Sequence, residues 1–131
     1  MFNELAGNGF RRVAATTWTS GSYRSWTSTE IQLIQFRDDK QTFAVDMLSE
    51  QQDYMSEKKY AGNHGKEIPG SVDGYAWVYS KPDTKAGYLP EYTARALVRH
   101  GNIVIDIWYY TARPISMKTI QSLAKRQLER L

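Results

Sequence analysis

The chain has 131 residues, no cysteine and a formal net charge of +3 at pH 7. That length suits one domain, 1–131, with a hydrophobic core of its own. The lack of cysteine excludes a disulfide framework, a thiolate zinc site and a cysteine nucleophile. The basic residues come as scattered pairs, Arg11-Arg12, Lys58-Lys59 and Lys125-Arg126, which suits solvated faces better than a nucleic-acid stripe. The longest apolar run, Ile103-Val104-Ile105, is too short for a transmembrane segment, and residues 1–15 lack the apolar core of a signal peptide. The expectation is a cytoplasmic chain, or a mature or excised domain.

Residues 11–19 and 26–36 read as a hairpin around the turn signal Ser20-Gly21-Ser22. The second run, through Ile31-Gln32-Leu33-Ile34-Gln35-Phe36, alternates at first and then loses a clear inward side. Asp38-Asp39 suit a helix start. Phe43, Met47, Gln51 and Tyr54 then recur at helical spacing, with Ala44, Leu48 and Met55 beside them, predicting a helix over 39–59. Gly62, Gly65 and Pro69-Gly70 end it and open a loop to Gly74. Tyr75–Ser80 reads as a short strand, and Lys81–Pro90 as a long, mobile connection.

From Thr93 to Thr111 the pattern is sharper. Gly101-Asn102 between two β-rich runs predicts a two-residue type II′ turn, which pairs His100 with Ile103, Val98 with Ile105, Ala96 with Ile107 and Ala94 with Tyr109. Opposed residues share a face, so Ala94, Ala96, Val98, Ile103, Ile105, Ile107 and Tyr109 form a core face. Arg95, Leu97, Arg99, Val104, Asp106, Trp108 and Tyr110 form the other. Ser116 then caps a last helix whose apolar stripe is Met117, Ile120, Leu123, Ala124, Gln127, Leu128 and Leu131. The order β-β-α-β-β-β-α predicts a two-layer α+β domain: an antiparallel sheet of about five strands with two helices on one face.

Nothing in the sequence marks a catalytic centre. His64 falls in the turn Gly62-Asn63-His64-Gly65 and His100 at a hairpin end, and no nucleophile elbow, phosphate loop or His-x-x-x-His spacing occurs. Gly7-Asn8-Gly9 is too short for a phosphate loop. The expectation is therefore no enzyme, no cofactor and no metal. The alternative is a small-molecule carrier or enzyme with a pocket between the first helix and the sheet, near His64.

The outer sheet face is the candidate site. Arg95 opposes Trp108, and Asp106 lies diagonal to both Arg95 and Arg99, so Arg95 can rest on the Trp108 ring with Asp106 neutralising it. With Ala76 and Val78 turned to the helices, Tyr75, Trp77 and Tyr79 join Tyr110 there. The expected binding set is Tyr75, Trp77, Tyr79, Arg95, Arg99, Asp106, Trp108 and Tyr110, recognising an unknown protein or small ligand. Left open, such a face predicts a face-to-face homodimer with the Arg95–Trp108 pair near its twofold axis. Covered by loop 81–90 or by the N-terminal segment, it would be a second small core. Arginine among aromatic rings also suits base stacking in single-stranded nucleic acid. The strand order, the missing RNP-type motif and Asp106 amid the face all argue against that.

Three features together resemble the globular domains of exported actinobacterial lipoproteins of unknown function. They are Ile31-Gln32-Leu33-Ile34-Gln35-Phe36 running into a helix, Ile68-Pro69-Gly70 before a strand, and a hairpin followed by a helix ending Ala124-Lys125-Arg126-Gln127-Leu128-Glu129-Arg130-Leu131. The resemblance implies a fold similar to PsbP-like and LpqN-type domains, with export, lipid anchoring, partner binding or sensing, and no catalysis. The chain departs from that pattern in having neither a signal peptide nor a lipobox cysteine, so export would need a segment that has been removed.

Overall fold

The computed structural model describes residues 10–21, 26–37, 41–71 and 73–130. The expected cap Asp38-Asp39, the Gly7-Asn8-Gly9 stretch and Leu131 lie outside these residues.

The C-terminal hairpin organises the sheet. Gly101, at φ +61°, supplies the left-handed residue that a tight turn needs. It joins β5 (Tyr92–His100) to β6 (Ile103–Thr111), with His100 opposite Ile103 and Ala96 opposite Ile107 as the turn chemistry requires. β2 (Thr27–Phe36) pairs with the far side of β6, and β1 (Phe10–Ser20) pairs with β2. The turn also holds the end of β2. Asn102 donates from Nδ2 to the Phe36 carbonyl at 2.6 Å, while the Phe36 N–H donates to the Asn102 carbonyl at 2.9 Å.

On the other side of β5 lies β4 (Asp73–Val78), and beyond it β3 (Lys66–Glu67). The result is a six-stranded antiparallel sheet in the order β1-β2-β6-β5-β4-β3. β3 makes one strand more than expected, because two exposed charged residues leave no alternation to read.

The helices are α1 (Gln41–Met55) and α2 (Met117–Glu129). The Ser116 hydroxyl caps α2, accepting the Thr119 N–H at 3.2 Å. Ile120 and Ala124 pack on Ala76, Ala94, Ala96, Val98, Ile105 and Ile107. α1 packs on Trp77, Leu97 and Val104, with Ile34 and Phe36 of β2, through Ala44, Leu48 and Met55. β5 contributes to both groups from alternate residues, so the helices lie on opposite faces of the sheet.

The α+β class therefore holds, while the placement of both helices on one face is corrected. Charged and aromatic residues gave the α1 side of β5 and β6 the look of a wet face. Arg95 and Asp106 neutralise each other, however, and the face closes beneath the helix. The unclear inward side of β2 has the same origin: Ile31 and Ile34 face different layers, and both are buried.

α1 stops at Met55, short of the expected 59, because Glu57, Lys58 and Lys59 have nothing apolar to bury. The chain then turns back, with the Gly62 N–H donating to the Met55 carbonyl at 3.1 Å. Asn63 stitches this turn to β4: its Nδ2 donates to the carbonyls of Ala61 and Val78, and its Oδ1 accepts the Gly65 N–H. Gly65 has no room for a side chain, since a Cβ there would lie 2.6 Å from Trp77 Nε1, and its φ is +75°. Loop 81–90 is closed at its neck, where Asp83 and Glu91 exchange backbone hydrogen bonds of 2.8 and 2.9 Å.

Candidate functional site

The α1 face of the sheet is only partly roofed. The helix covers Leu97, Val104 and Trp77, and its last turn ends over Arg95 and Asp106. Beyond it, Trp108, Tyr110 and Tyr79 project from β6 and the end of β4 and remain half-exposed. A cleft opens along this boundary.

Its floor is an ion pair. Arg95 donates from Nε to Asp106 Oδ1 and from Nη2 to Asp106 Oδ2, both at 2.9 Å, a bidentate fork. Nη1 donates to Gln51 Oε1 of α1 at 2.8 Å. Both side chains are only 6% exposed. A buried pair of this kind contributes little net stability, because desolvation offsets the attraction. It does fix a guanidinium in one place. Three of its five N–H groups are used in these bonds, and no other partner is found among the described residues.

Rings stand around the pair. The Arg95 guanidinium carbon lies 4.5 Å from the centroid of the Trp108 ring, a cation–π contact. Tyr110 stacks beside Trp108 at 6.4 Å and 8° between planes, and Tyr79 meets it edge-on at 6.4 Å. Burial raises the Tyr79 hydroxyl pKa above 10.0, while the nearby Arg95 charge opposes the shift. Burial, helped by the carboxylates of Glu30 and Glu91, pushes Tyr110 up to about 12. Both phenols therefore keep their protons at physiological pH and remain hydrogen-bond donors.

Gln51, Tyr54, Met55, Tyr60, Arg95 and Trp108 line a cavity of about 280 Å³. Tyr60 is also a wall of a wider groove of about 650 Å³, which runs past Lys58, Tyr79, Ser80, Asp83, Glu91 and Thr93. The two share that one ring, which is 40% exposed.

Of the eight residues expected to bind, Arg95, Asp106, Trp108, Tyr79 and Tyr110 come together here. Trp77 belongs to the α1-side core and is fully buried. Tyr75 packs against that same core, its ring 6.2 Å from Trp77, and Arg99 pairs with Asp73 at 3.0 Å instead of with Asp106. Asp73 lies directly opposite Arg99 on β4, two residues before the strand was expected to start. His64 is exposed and lines neither the cavity nor the groove. The pocket between the first helix and the sheet exists, but not near that histidine.

Cover over this face comes from α1 and the turn after it; the N-terminal segment, weighed from the sequence as one alternative cover, lies outside the described residues. Of the Arg95–Trp108 pair expected near the axis of a face-to-face homodimer, Arg95 is 5% exposed and lies beneath that cover, and only Trp108 keeps exposed surface. Gln51, Tyr54 and Tyr60 were not foreseen as site residues. The available signal was Gln51, a polar residue on the otherwise apolar inward stripe of α1.

Among the described residues, no group of three or more His, Asp or Glu side chains is placed to hold a metal, and no helix is long and apolar enough to cross a membrane. No family model matches the sequence, and no curated protein matches it. Among solved structures, the chain is similar to the extracellular domain of PknH from Mycobacterium tuberculosis, with a TM-score of 0.58 at 14% identity, over 98% of this chain and 70% of that one. The likeness is one of fold. No family model supports the PsbP-like or LpqN-type assignment.

Proposed function

We propose that this is a non-enzymatic binding or sensor-type domain, acting outside the cytoplasm, whose ligand occupies the cleft between the end of α1 and the sheet. The observation that carries the reading is Arg95. It is buried, neutralised by Asp106, braced by Gln51 and stacked on Trp108, and it nonetheless forms part of a cavity wall. Ligand sites commonly combine an apolar or aromatic wall with a few fixed polar groups. The floor holds no net charge, and its remaining N–H groups are donors. These properties favour a flat or ring-shaped ligand that carries hydrogen-bond acceptors. The similar extracellular domain supports the placement outside the cytoplasm.

The test is an NMR screen with heteroaromatic and pyranose fragments, following the Trp108 indole N–H and the Arg95 Nε–H. Binding fragments are expected to shift both signals. Tyr60→Ala should abolish those shifts while changing stability by no more than about 0.5 kcal/mol, because the ring is a partly exposed wall and not core. Fragments that bind elsewhere, or shifts that survive loss of Tyr60, would remove the cleft as the site. A pocket between α1 and the sheet was also the basis of the carrier-or-enzyme alternative. We read binding in preference to catalysis there because the carboxylate at its floor, Asp106, is held in the bidentate pair with Arg95.

A further inference from the structure

The two edges of the sheet are built differently. β3 is two residues long, both charged, and Pro69 follows soon after. Short charged edges resist pairing with foreign strands. β1 has none of these protections over most of its length. After a bulge between Phe10 and Arg12 it runs regularly from Arg12 to Ser20, about 30 Å of strand. From Val13 to Ser20 it carries no charge and no proline. Ala14, Ala15, Thr16, Thr17, Thr19 and Ser20 are exposed. α1 packs on β5, β2 and β4, and α2 on β5, β4 and β6, so β1 projects beyond both helices. Among the described residues only β2 pairs with it.

We infer that the outer edge of β1 pairs antiparallel with the same edge of a second copy, joining two sheets into one. The strand is self-complementary in that arrangement. Thr16 is the midpoint of the regular stretch, and a twofold axis normal to the sheet there sets Thr16 against Thr16, Ala15 against Thr17 and Arg12 against Ser20. Opposed residues then share a face, as antiparallel pairing requires. The arginine ends of the two strands lie far apart, whereas a parallel pairing would align them. The inference makes no use of the cleft and stands or falls separately from it.

Sedimentation equilibrium at about 100 µM, where a contact of this small size should populate, is expected to give a dimer. Amide exchange in the wild-type chain should slow with rising concentration at alternate residues between Val13 and Thr19. Thr16→Lys, at an exposed position, places two like charges across the axis and should weaken the dimer at least about tenfold. Thr16→Glu should act alike, and an equal mixture of the two variants should restore a heterodimer. A monomer at every concentration, exchange in β1 that does not depend on concentration, or a dimer indifferent to both substitutions would overturn the inference. Should a Thr16 variant not fold, the wild-type exchange pattern decides alone.

Discussion

The two faces of the sheet are made from the same strands and do different work. Under α2 the layer is dry and built of small and branched side chains: Ala94, Ala96 and Val98 interlock with Ile105, Ile107 and Ile120, all fully buried. Under α1 the apolar layer continues through Trp77, Leu97 and Val104 and then gives way to Arg95, Asp106 and a row of rings around a cavity. A face made only for stability would use the first pattern throughout, since close apolar packing is the cheaper way to fill a layer. The second pattern suits the recognition role proposed for the cleft.

Breaking the ion pair gives the largest expected effect. Asp106→Ala strands a buried guanidinium and should cost about 3–5 kcal/mol in urea denaturation. Replacing both partners with leucine should recover most of that loss, while abolishing the fragment-induced shifts in the cleft. A small loss from the single change would mean that water already reaches the pair, and the contrast between the faces would weaken.

Ile107→Ala probes the dry face. It should cost about 3 kcal/mol through lost burial and the cavity left behind. The same screen should find the cleft still responsive in that variant. A damaged cleft would show that the faces are coupled through β6.

The smallest effect is one of pH. An unfolded tyrosine ionises near 10.0, whereas Tyr110 in the fold holds its proton to about 12. Between these values the unfolded chain binds fewer protons, so stability is unchanged below about pH 10 and falls as pH rises toward 12. Tyr110→Phe should flatten that part of the stability–pH curve. An identical slope in the variant would place the ring in water.

How far the sequence revealed this molecule depended on what each residue had to satisfy. The β5–β6 register was legible because turn geometry and alternation impose it independently. The cross-strand pairing of Arg95 with Trp108, and Asp106 beside them, followed from that register alone. The side on which α1 packs was not legible. Arginine and aspartate on one strand face look solvated until their mutual neutralisation is seen, and that depends on side-chain geometry which no periodicity encodes. β3 escaped because Lys66 and Glu67 form a strand only by pairing with Ala76 and Tyr75. The far wall of the cleft, Tyr60, lies in a turn whose path is set by contacts with β4 and not by local propensity.

Those contacts have a consequence for recognition. With its side-chain amide shared between Ala61, Gly65 and Val78, Asn63 anchors the turn that carries Tyr60 to the end of β4 before any ligand arrives. A wall assembled on binding would lose about 0.5–1.5 kcal/mol of affinity for each side chain immobilised. Here the backbone that carries the wall is already ordered when the chain folds. A ligand of the proposed cleft then meets a preorganised surface, and its residence time is governed by the contacts it makes and not by a lid that has to open.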